Sequence, residues 1–234
     1  MIGYDNLAIN RQIALDLPFR EASGLITHDV AKPHHIASLA GHAPVWGEVA
    51  LSGLGVLEFN GTSQYLEIPA ADTQDLDFTG DFALAVWIHP VFGACDMLMC
   101  RSLLDNCGWE MYIDENASVN NYLSLRSNQA GSRTGAYASD FTADEWQLVG
   151  FDYDSATSLA TAFKNGLPKV TTNNGGILDP IACGVTQKLL IGVQQGEISN
   201  FFKGKMWRPR AWPRKLGTAG WAQIFEYHRH WLGV

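Results

Sequence analysis

The strongest constraint on the fold of this chain is a series of short segments in which apolar and polar residues alternate. In LEFNGTSQYLEIP, residues 57–69, Leu57 and Phe59 alternate with polar neighbours before an Asn-Gly pair, and Leu66 and Ile68 do so after it. A period of two is typical of half-buried β-strands and not of helices. Because Asn and Gly tolerate positive φ, this stretch predicts a β-hairpin.

Further strand-like segments follow along the chain, at 81–90, 108–114, 121–127, 145–154, 159–166, 189–196 and 202–212. Only the C-terminal segment, in which Trp221, Ile224 and Phe225 recur at helical spacing, predicts a helix, over 219–231. This succession favours an all-β, antiparallel sandwich over alternating β-α units. With 234 residues, 47% of them hydrophobic, we expect one domain over 1–234, with 1–12 as an N-terminal extension.

The order of the segments resembles one family. An early LPF leads into a His-bearing loop that runs to a Trp, followed by LEFNGTSQYLEIP, a strand ending in WIHP, EWQLVGFDYD, AFKNG and an LLIG strand before FKGKM. This succession, from about Ile13 to Tyr227, resembles the laminin G-like domains of the concanavalin A-like lectin/glucanase jelly-roll superfamily. The resemblance implies an antiparallel jelly roll with a short terminal helix.

Charge and hydropathy argue against two classes of partner. The formal net charge of −8 disfavours nonspecific nucleic-acid binding, which is driven by a basic surface. No apolar run approaches the roughly 20 residues of a membrane helix, and the N-terminus lacks the pattern of a secretory signal. We therefore expect neither membrane insertion nor export by an obvious route.

The four cysteines do not form paired C-x-x-C motifs, so zinc binding is not predicted. They are Cys95, Cys100, Cys107 and Cys183. Buried free thiols in a reducing compartment are the favoured interpretation. A local disulfide among the first three is the alternative for a protein that acts outside a cell.

Metal binding is not predicted at the histidines either. Four of the seven lie in THDVAKPHHIASLAGH and are interpreted as packing residues: His28, His34, His35 and His42. Some laminin G-like domains bind calcium through hard oxygen ligands, so the resemblance leaves a calcium site open. However, Gln64 stands where the family has an aspartate, and the sequence supports neither calcium nor a cofactor.

Enzymes with the concanavalin A-like fold cleave polysaccharides, which makes paired carboxylates relevant. Asp152 and Asp154 are two residues apart, as are Asp75 and Asp77. Both pairs occur where predicted strands meet turns, and aspartate is common there because it hydrogen-bonds locally. We predict no catalytic residue and no enzyme activity; a polysaccharide-cleaving enzyme that uses Asp152 or Asp154 is the weaker alternative.

Basic and aromatic residues are interleaved in FFKGKMWRPRAWPRK. Such a mixture can hold anionic sugars or an acidic protein face through charge-assisted hydrogen bonds and stacking. The candidate binding residues are Trp207, Arg208, Arg210 and Trp212. The alternative is a strand with Met206, Arg208 and Arg210 on one face and Trp207, Pro209 and Ala211 on the other, of which one set is merely solvated.

A second candidate surface comes from the segments 108–114 and 121–127. Alternation places Trp109, Met111 and Ile113 toward a core. This leaves Tyr112, Tyr122 and Arg126 among the outward side chains, where aromatic and polar groups suit sugar recognition. An ordinary solvated sheet face is the alternative.

These observations support a noncatalytic structural or recognition module. Since laminin G-like domains usually belong to secreted proteins and this chain lacks an obvious signal, the favoured hypothesis is a phage virion protein, capsid-decorating or tail-associated. It would bind a surface glycan or a virion protein partner, at the virion surface or outside the cell. A carbohydrate-binding lectin of a secreted or cell-surface assembly is the alternative, and a homo-oligomer is left open.

Overall fold

A computed structural model describes residues 4, 7–39, 41–91, 95–116 and 120–234, with the backbone alone at 95, 115, 116 and 120. Within these residues, the strands and the α-helix are β1 Leu15–Asp16, β2 Ile26–His28, β3 Ile36–Ser38, β4 Val45–Val49, β5 Leu54–Asn60, β6 Leu66–Ile68, β7 Phe82–Pro90, β8 Cys95–Leu103, β9 Cys107–Asn116, β10 Asn120–Gln129, β11 Ser132–Ala138, β12 Gln147–Asp154, β13 Leu159–Lys164, β14 Leu167–Pro168, β15 Thr172–Asn173, β16 Leu189–Ile191, β17 Lys203–Trp212 and α1 Gly217–Leu232. Short 3-10 turns occupy Ala8–Asn10, Ala70–Asp72 and Gln74–Leu76.

The strands form two antiparallel sheets that enclose one large apolar core. In the described part of the chain, the eight-stranded sheet has the order β14-β13-β12-β7-β17-β5-β4, with β1 on β17. The nine-stranded sheet has the order β15-β11-β10-β9-β8-β16-β6-β3-β2. The predicted all-β sandwich with a C-terminal helix is confirmed.

The hairpin predicted at 57–69 is wrong. β5 pairs with β4 and β17 in the eight-stranded sheet, whereas β6 pairs with β16 and β3 in the nine-stranded sheet. The Asn-Gly pair does form a turn, because the Asn60 side chain accepts hydrogen bonds from the amides of Thr62 and Ser63. The residues after it then carry the chain from one sheet to the other. Alternation therefore identified two strands but not their partners.

Two other predicted hairpins are present. β9 and β10 pair antiparallel, with Ser124 opposite Tyr112 and Arg126 opposite Glu110. β12 pairs with β13, and β13 continues into β14 through Asn165-Gly166. Both turn residues have positive φ, 51° and 79°, which is the geometry that a two-residue hairpin requires.

The outer face of the eight-stranded sheet is covered by the C-terminal helix and by the N-terminal segment. Helix α1 buries Trp221, which stacks on Phe163 with ring centroids 4.6 Å apart. The described part of the predicted extension 1–12 lies against β17, where the Trp212 indole donates to the Ile9 carbonyl. Residues 1–3, 5 and 6 of that extension lie outside the described residues. Within the described residues, none of the helices has the length and hydrophobicity needed to cross a bilayer.

The cysteines differ from the expected set of free thiols. Cys107, at the start of β9, forms a disulfide with Cys183, 76 residues away. Cys100 is a buried free thiol, and its sulfur donates to the Val193 carbonyl. The alternative of a local disulfide is also wrong for Cys107, because its partner Cys183 lies in the long loop before β16. The side chain of Cys95 lies outside the described residues.

Candidate functional site

A groove lined by tyrosines crosses the outer face of the nine-stranded sheet. Tyr112 on β9, Ser124 on β10 and Tyr137 on β11 lie directly beside one another in register. The small serine forms the floor between two aromatic walls, and the neighbouring pair Asp114 and Tyr122 closes one end. These five residues, here called the tyrosine groove, line a space of about 280 Å³.

The strand pattern explains why these side chains face outward. Trp109, Met111 and Ile113 alternate with Tyr112 along β9 and belong to the main core, as predicted. Tyr112 itself is largely buried, whereas Tyr122 and Tyr137 are half-buried and meet edge to face, with centroids 5.2 Å apart. The groove therefore offers aromatic surface that is held in place by its neighbours.

An ion pair between a buried glutamate and a partly exposed arginine fixes one wall of the tyrosine groove. Glu110 is inaccessible to solvent, and its Oε2 accepts from Arg126 Nη1 at 2.8 Å. Arg126 Nη2 also donates to the Tyr112 hydroxyl at 2.8 Å, and its guanidinium lies 4.8 Å from that ring centroid. A second donor, the Ser102 hydroxyl, reaches the other Glu110 oxygen. Thus the structure brings the predicted residues Tyr112, Tyr122 and Arg126 together on one face.

Two surface features were not predicted from the sequence: the place of Tyr137 in the tyrosine groove, and a second cleft. Tyr137 was not predicted because SRTGAYA, with small residues beside the tyrosine, carries a weak alternation of hydrophobicity. A larger cleft of about 630 Å³ also lies near the edge of the eight-stranded sheet, and its lining includes Trp46, Trp231, Arg20 and Glu48. The two tryptophans are 185 positions apart in sequence, so no local pattern could join them.

The predicted exposed patch at 207–212 does not exist in the structure. Trp207, Arg208, Arg210 and Trp212 are all buried, with at most 6% of each residue exposed. Trp207 and Trp212 pack beneath the helix and the N-terminal segment and donate to the backbone carbonyls of Pro18 and Ile9. These two tryptophans are structural. The alternative, in which one set of side chains is solvated, is wrong as well, because residues 206–211 are all buried.

The buried arginines meet a buried carboxylate. The register of β17 against β7 shifts between Trp207 and Arg210, and Arg208 has a φ of 54°, uncommon for a residue other than glycine. In this bulge, Arg208 Nε and Nη2 donate to the two oxygens of Asp16 at 2.8 and 2.9 Å, and Arg210 Nη2 donates at 3.1 Å. Burial raises the pKa of Asp16, but the two guanidinium groups outweigh burial and hold it well below its usual value.

His228 of α1 completes this cluster as a neutral base. Its Nδ1 lies 2.9 Å from the Ile224 carbonyl and its Nε2 lies 2.6 Å from Arg208 Nη1, so Nδ1 carries the proton and Nε2 accepts. Burial, together with the charges of Arg210 and Arg208, lowers the pKa of His228 to about 2. The cluster of Asp16, Arg208, Arg210 and His228 is thus formed from three separate elements.

A second buried histidine, His35, has a raised pKa, whereas that of His228 is lowered. His35 Nδ1 lies 2.6 Å from Asp29 and Nε2 lies 3.1 Å from Asp75. Burial alone would lower the pKa of His35, but hydrogen bonds to the two carboxylates raise it to about 9. The burial of His35 agrees with the packing role predicted from the sequence, whereas His28, His34 and His42, for which the same role was predicted, are exposed. In the described residues, no group of three or more His, Cys, Asp or Glu is arranged to hold a metal ion.

We expect the protein to be most stable near pH 6.5. Unfolded His228 takes up a proton below about pH 6.5 and folded His228 does not until about pH 2, so stability is lost as pH falls below 6.5. Folded His35 keeps its proton up to about pH 9, so its contribution is lost as pH rises from 6.5 to 9. Each slope approaches about 1.4 kcal/mol per pH unit.

Urea unfolding at a series of pH values checks this expectation. His228→Gln should flatten the acid side of the stability curve and His35→Gln the alkaline side, because each removes one titrating group. Equal slopes in both variants and in the parent protein would contradict it.

The paired carboxylates are occupied by structural hydrogen bonds. Asp152 accepts from the amides of Leu216 and Gly217 and from the Trp221 indole, so it holds the start of α1. Asp154 caps its own turn and pairs with Lys215. Asp77 accepts from two amides and from Arg101, and Asp75 from His35. Only Asp154 makes the local turn hydrogen bonds expected from the sequence. The expectation is wrong for Asp75, Asp77 and Asp152, whose side chains bond to residues distant in sequence.

Comparison with known families identifies the chain. The Laminin_G_3 family model, described as the concanavalin A-like lectin/glucanases superfamily, matches residues 60–219. The chain belongs to this superfamily. The resemblance inferred from the order of the sequence segments is therefore confirmed, and the laminin G-like match covers the tyrosine groove and most of both sheets. No curated protein matches the chain.

Several solved structures share the fold of this laminin G-like chain at low sequence identity. The receptor binding domain of botulinum neurotoxin type G has 11% identity and a TM-score of 0.68 over 93% of this chain and 51% of its own. The binding domain of Paraclostridial Mosquitocidal Protein 1 has 12% identity and a TM-score of 0.68, over 94% and 53%. A botulinum neurotoxin serotype D ligand binding domain in complex with N-acetylneuraminic acid has 10% identity and a TM-score of 0.68, over 93% and 51%. The chain spans about half the length of these solved chains.

Proposed function

We propose that the chain is a noncatalytic recognition module that binds a glycan in the tyrosine groove. The observation that carries the proposal is the row of Tyr112, Ser124 and Tyr137, which places two aromatic side chains on either side of a small polar floor. Sugar rings stack on aromatic faces while their hydroxyls hydrogen-bond to nearby polar groups, here Asp114 and Ser124. The fold neighbours, whose names describe binding domains, support the general class.

The occupied carboxylates support the noncatalytic part of the proposal. Glycoside hydrolysis needs two carboxyl groups that face one bond and are free to exchange a proton. Asp152 is committed to two amides and an indole, and Asp154 to its turn and to Lys215. A polysaccharide-cleaving enzyme would have to break these contacts, so this alternative needs released reducing ends as direct evidence.

The disulfide between Cys107 and Cys183 supports a setting outside a reducing cytosol. Within that setting, we favour a virion surface, as a capsid-decorating or tail-associated protein, with a secreted or cell-surface lectin as the alternative. Mass spectrometry of purified virions distinguishes them. Recovery of the chain only from a cell-surface or secreted fraction would exclude the virion.

A glycan array on the purified chain tests the binding proposal. The array should include sialylated glycans, because one fold neighbour was solved with N-acetylneuraminic acid. Parallel runs with calcium and with a chelator separate direct sugar binding from metal-assisted binding. Selective binding supports the proposal. Silence from a well-folded sample overturns it and favours a protein partner or a homo-oligomer, which light scattering and virion pull-down would then examine.

Tyr137→Ala is expected to weaken glycan binding about tenfold, because one aromatic stacking contact contributes roughly 1 kcal/mol or slightly more. Tyr137 is half-buried at the edge of the tyrosine groove, so its removal should leave the core intact. Tyr227→Ala is the matched control, since this tyrosine is 59% exposed on α1, outside the tyrosine groove. Titration of the best array ligand measures both affinities, and equal losses in the two variants would contradict the assignment.

A further inference from the structure

A partly open cavity lies between α1, the N-terminal segment and the bulge of β17. It has a volume of about 200 Å³, and we name it the arginine cavity because three arginines line it, the exposed Arg20 and the buried Arg208 and Arg210. Its lining residues include Asn10, Arg208, Arg210, Ile224, Tyr227 and Trp231. It lies outside the tyrosine groove, on the other sheet, and the proposed glycan binding does not use it.

The guanidinium of Arg210 is incompletely paired inside this cavity wall. Arg208 engages all three of its nitrogens, two with Asp16 and one with His228. Arg210 uses only Nη2, toward Asp16; its Nε and Nη1 are buried and have no hydrogen-bond partner among the described residues. Arg210 as a residue is only 3% exposed. Buried N–H groups without partners are rare in folded proteins because they lose hydration without replacement.

The charges in the cavity wall do not balance. Among the described residues of the cluster, two guanidinium groups meet one carboxylate, that of Asp16, and His228 is neutral. Burial and the neighbouring charge of Arg208 lower the pKa of Arg210, which reflects the same excess of positive charge. A buried cation without a counter-charge is costly, so a bound anion would offset both the charge and the open hydrogen bonds.

The remaining wall is suited to an apolar body. Ile9, Ile224, Tyr227 and Trp231 contribute aliphatic and aromatic surface to the arginine cavity. An apolar cavity of about 150 Å³ is enough to hold benzene, so this space suits a molecule slightly larger than a single aromatic ring. Inorganic phosphate, which carries more charge and lacks apolar surface, matches this lining less well.

We propose that the arginine cavity binds a small organic carboxylate. The carboxylate accepts hydrogen bonds from Arg210, and the apolar part of the ligand packs against Ile224 and Tyr227. The ligand thereby supplies the second negative charge that the Asp16 cluster lacks. The arginine cavity and the tyrosine groove lie on different sheets, so the proposed carboxylate binding does not depend on glycan binding.

Calorimetric titration of the full chain with sodium benzoate tests the proposal. We expect saturable binding of one benzoate per chain, with no binding of benzylamine, which has the same ring but a positive charge. Inorganic phosphate is the third probe and should bind more weakly than benzoate. Stronger binding of phosphate, or equal binding of benzylamine, would overturn the assignment of a carboxylate ligand, as would the absence of saturable benzoate binding.

Three variants locate the site. Arg210→Gln should weaken benzoate binding about tenfold or more, because it removes a charge-assisted hydrogen bond and keeps an amide beside Asp16. Gln223→Trp, at an exposed position on the cavity rim, should weaken benzoate binding by filling the entrance while every charge is retained. It therefore tests the location even if Arg210→Gln fails to fold. Arg229→Gln, an exposed helix arginine paired with Glu226, should bind as the parent does. Unchanged binding in Gln223→Trp would overturn the location.

Discussion

Asp16→Asn is expected to lower the free energy of unfolding by about 3–5 kcal/mol, because it removes the counter-charge of two buried arginines. Asp16 is inaccessible to solvent and accepts from Arg208, Arg210 and the Tyr4 hydroxyl. Asparagine preserves the shape and one acceptor oxygen but not the charge. The guanidinium groups would then remain buried with a larger excess of positive charge, which unfolding relieves by returning them to water.

Urea unfolding of Asp16→Asn at neutral pH measures this loss. Glu226→Gln is the matched control, since Glu226 is an exposed helix residue whose partner Arg229 lies three positions along α1. Surface pairs of this kind contribute about 0.5 kcal/mol or less. If the two variants unfold at the same urea concentration, the cluster does not stabilise the fold as argued.

Local patterns in the sequence predicted the strands and their faces well. Alternation placed Trp109 and Met111 in the core and Tyr112 on the outer face of β9, and the structure agrees. The Asn165-Gly166 turn was readable because its φ requirement is a property of the residues themselves. Each of these features depends on contacts between residues that are close in sequence.

Features that depend on contacts between residues distant in sequence could not be predicted from the sequence. The basic segment at 207–212 suggested a surface because its charges are visible in the sequence and their partner is not: Asp16 is 192 positions from Arg208. The same limit explains the wrong hairpin at 57–69, since alternation of apolar and polar residues predicts a strand but not the sheet to which it belongs. The burial of an arginine is decided by the element that covers it, here α1.

Tyr137 illustrates a third limit, in the prediction of the tyrosine groove. Tyr112 and Tyr122 could be assigned to one face because a hairpin joins their strands. Tyr137 joins them only through the pairing of β11 with β10, and its strand has little apolar alternation. A site assembled across three strands was therefore predicted in two of them.

Loss of the Cys107–Cys183 disulfide is the second large effect that we expect. Replacing both cysteines with serine should lower the free energy of unfolding by about 4 kcal/mol, since the bond closes a long loop and restricts the unfolded chain. The loop before β16 has no regular secondary structure over 174–188, but in the folded protein it is hydrogen-bonded to its surroundings, for example through the Ile177 carbonyl to Tyr153 and the Ile181 carbonyl to Gly108. Arg101 and Asp77 also hold it, through the Gly184 carbonyl and the amides of Cys183 and Gly184.

These contacts predict that the loss of the disulfide changes the stability of the protein and not its folded structure. Arg101 and Asp77 should keep the folded structure close to that of the parent, so the double serine variant should lose stability without losing the tyrosine groove. Cys100→Ser is the control, because this buried thiol forms no disulfide and serine retains a donor toward Val193. Urea unfolding measures all three proteins, and intact mass without reductant verifies the bond. Equal stability of the double variant and the parent would show that the native contacts alone restrain this loop.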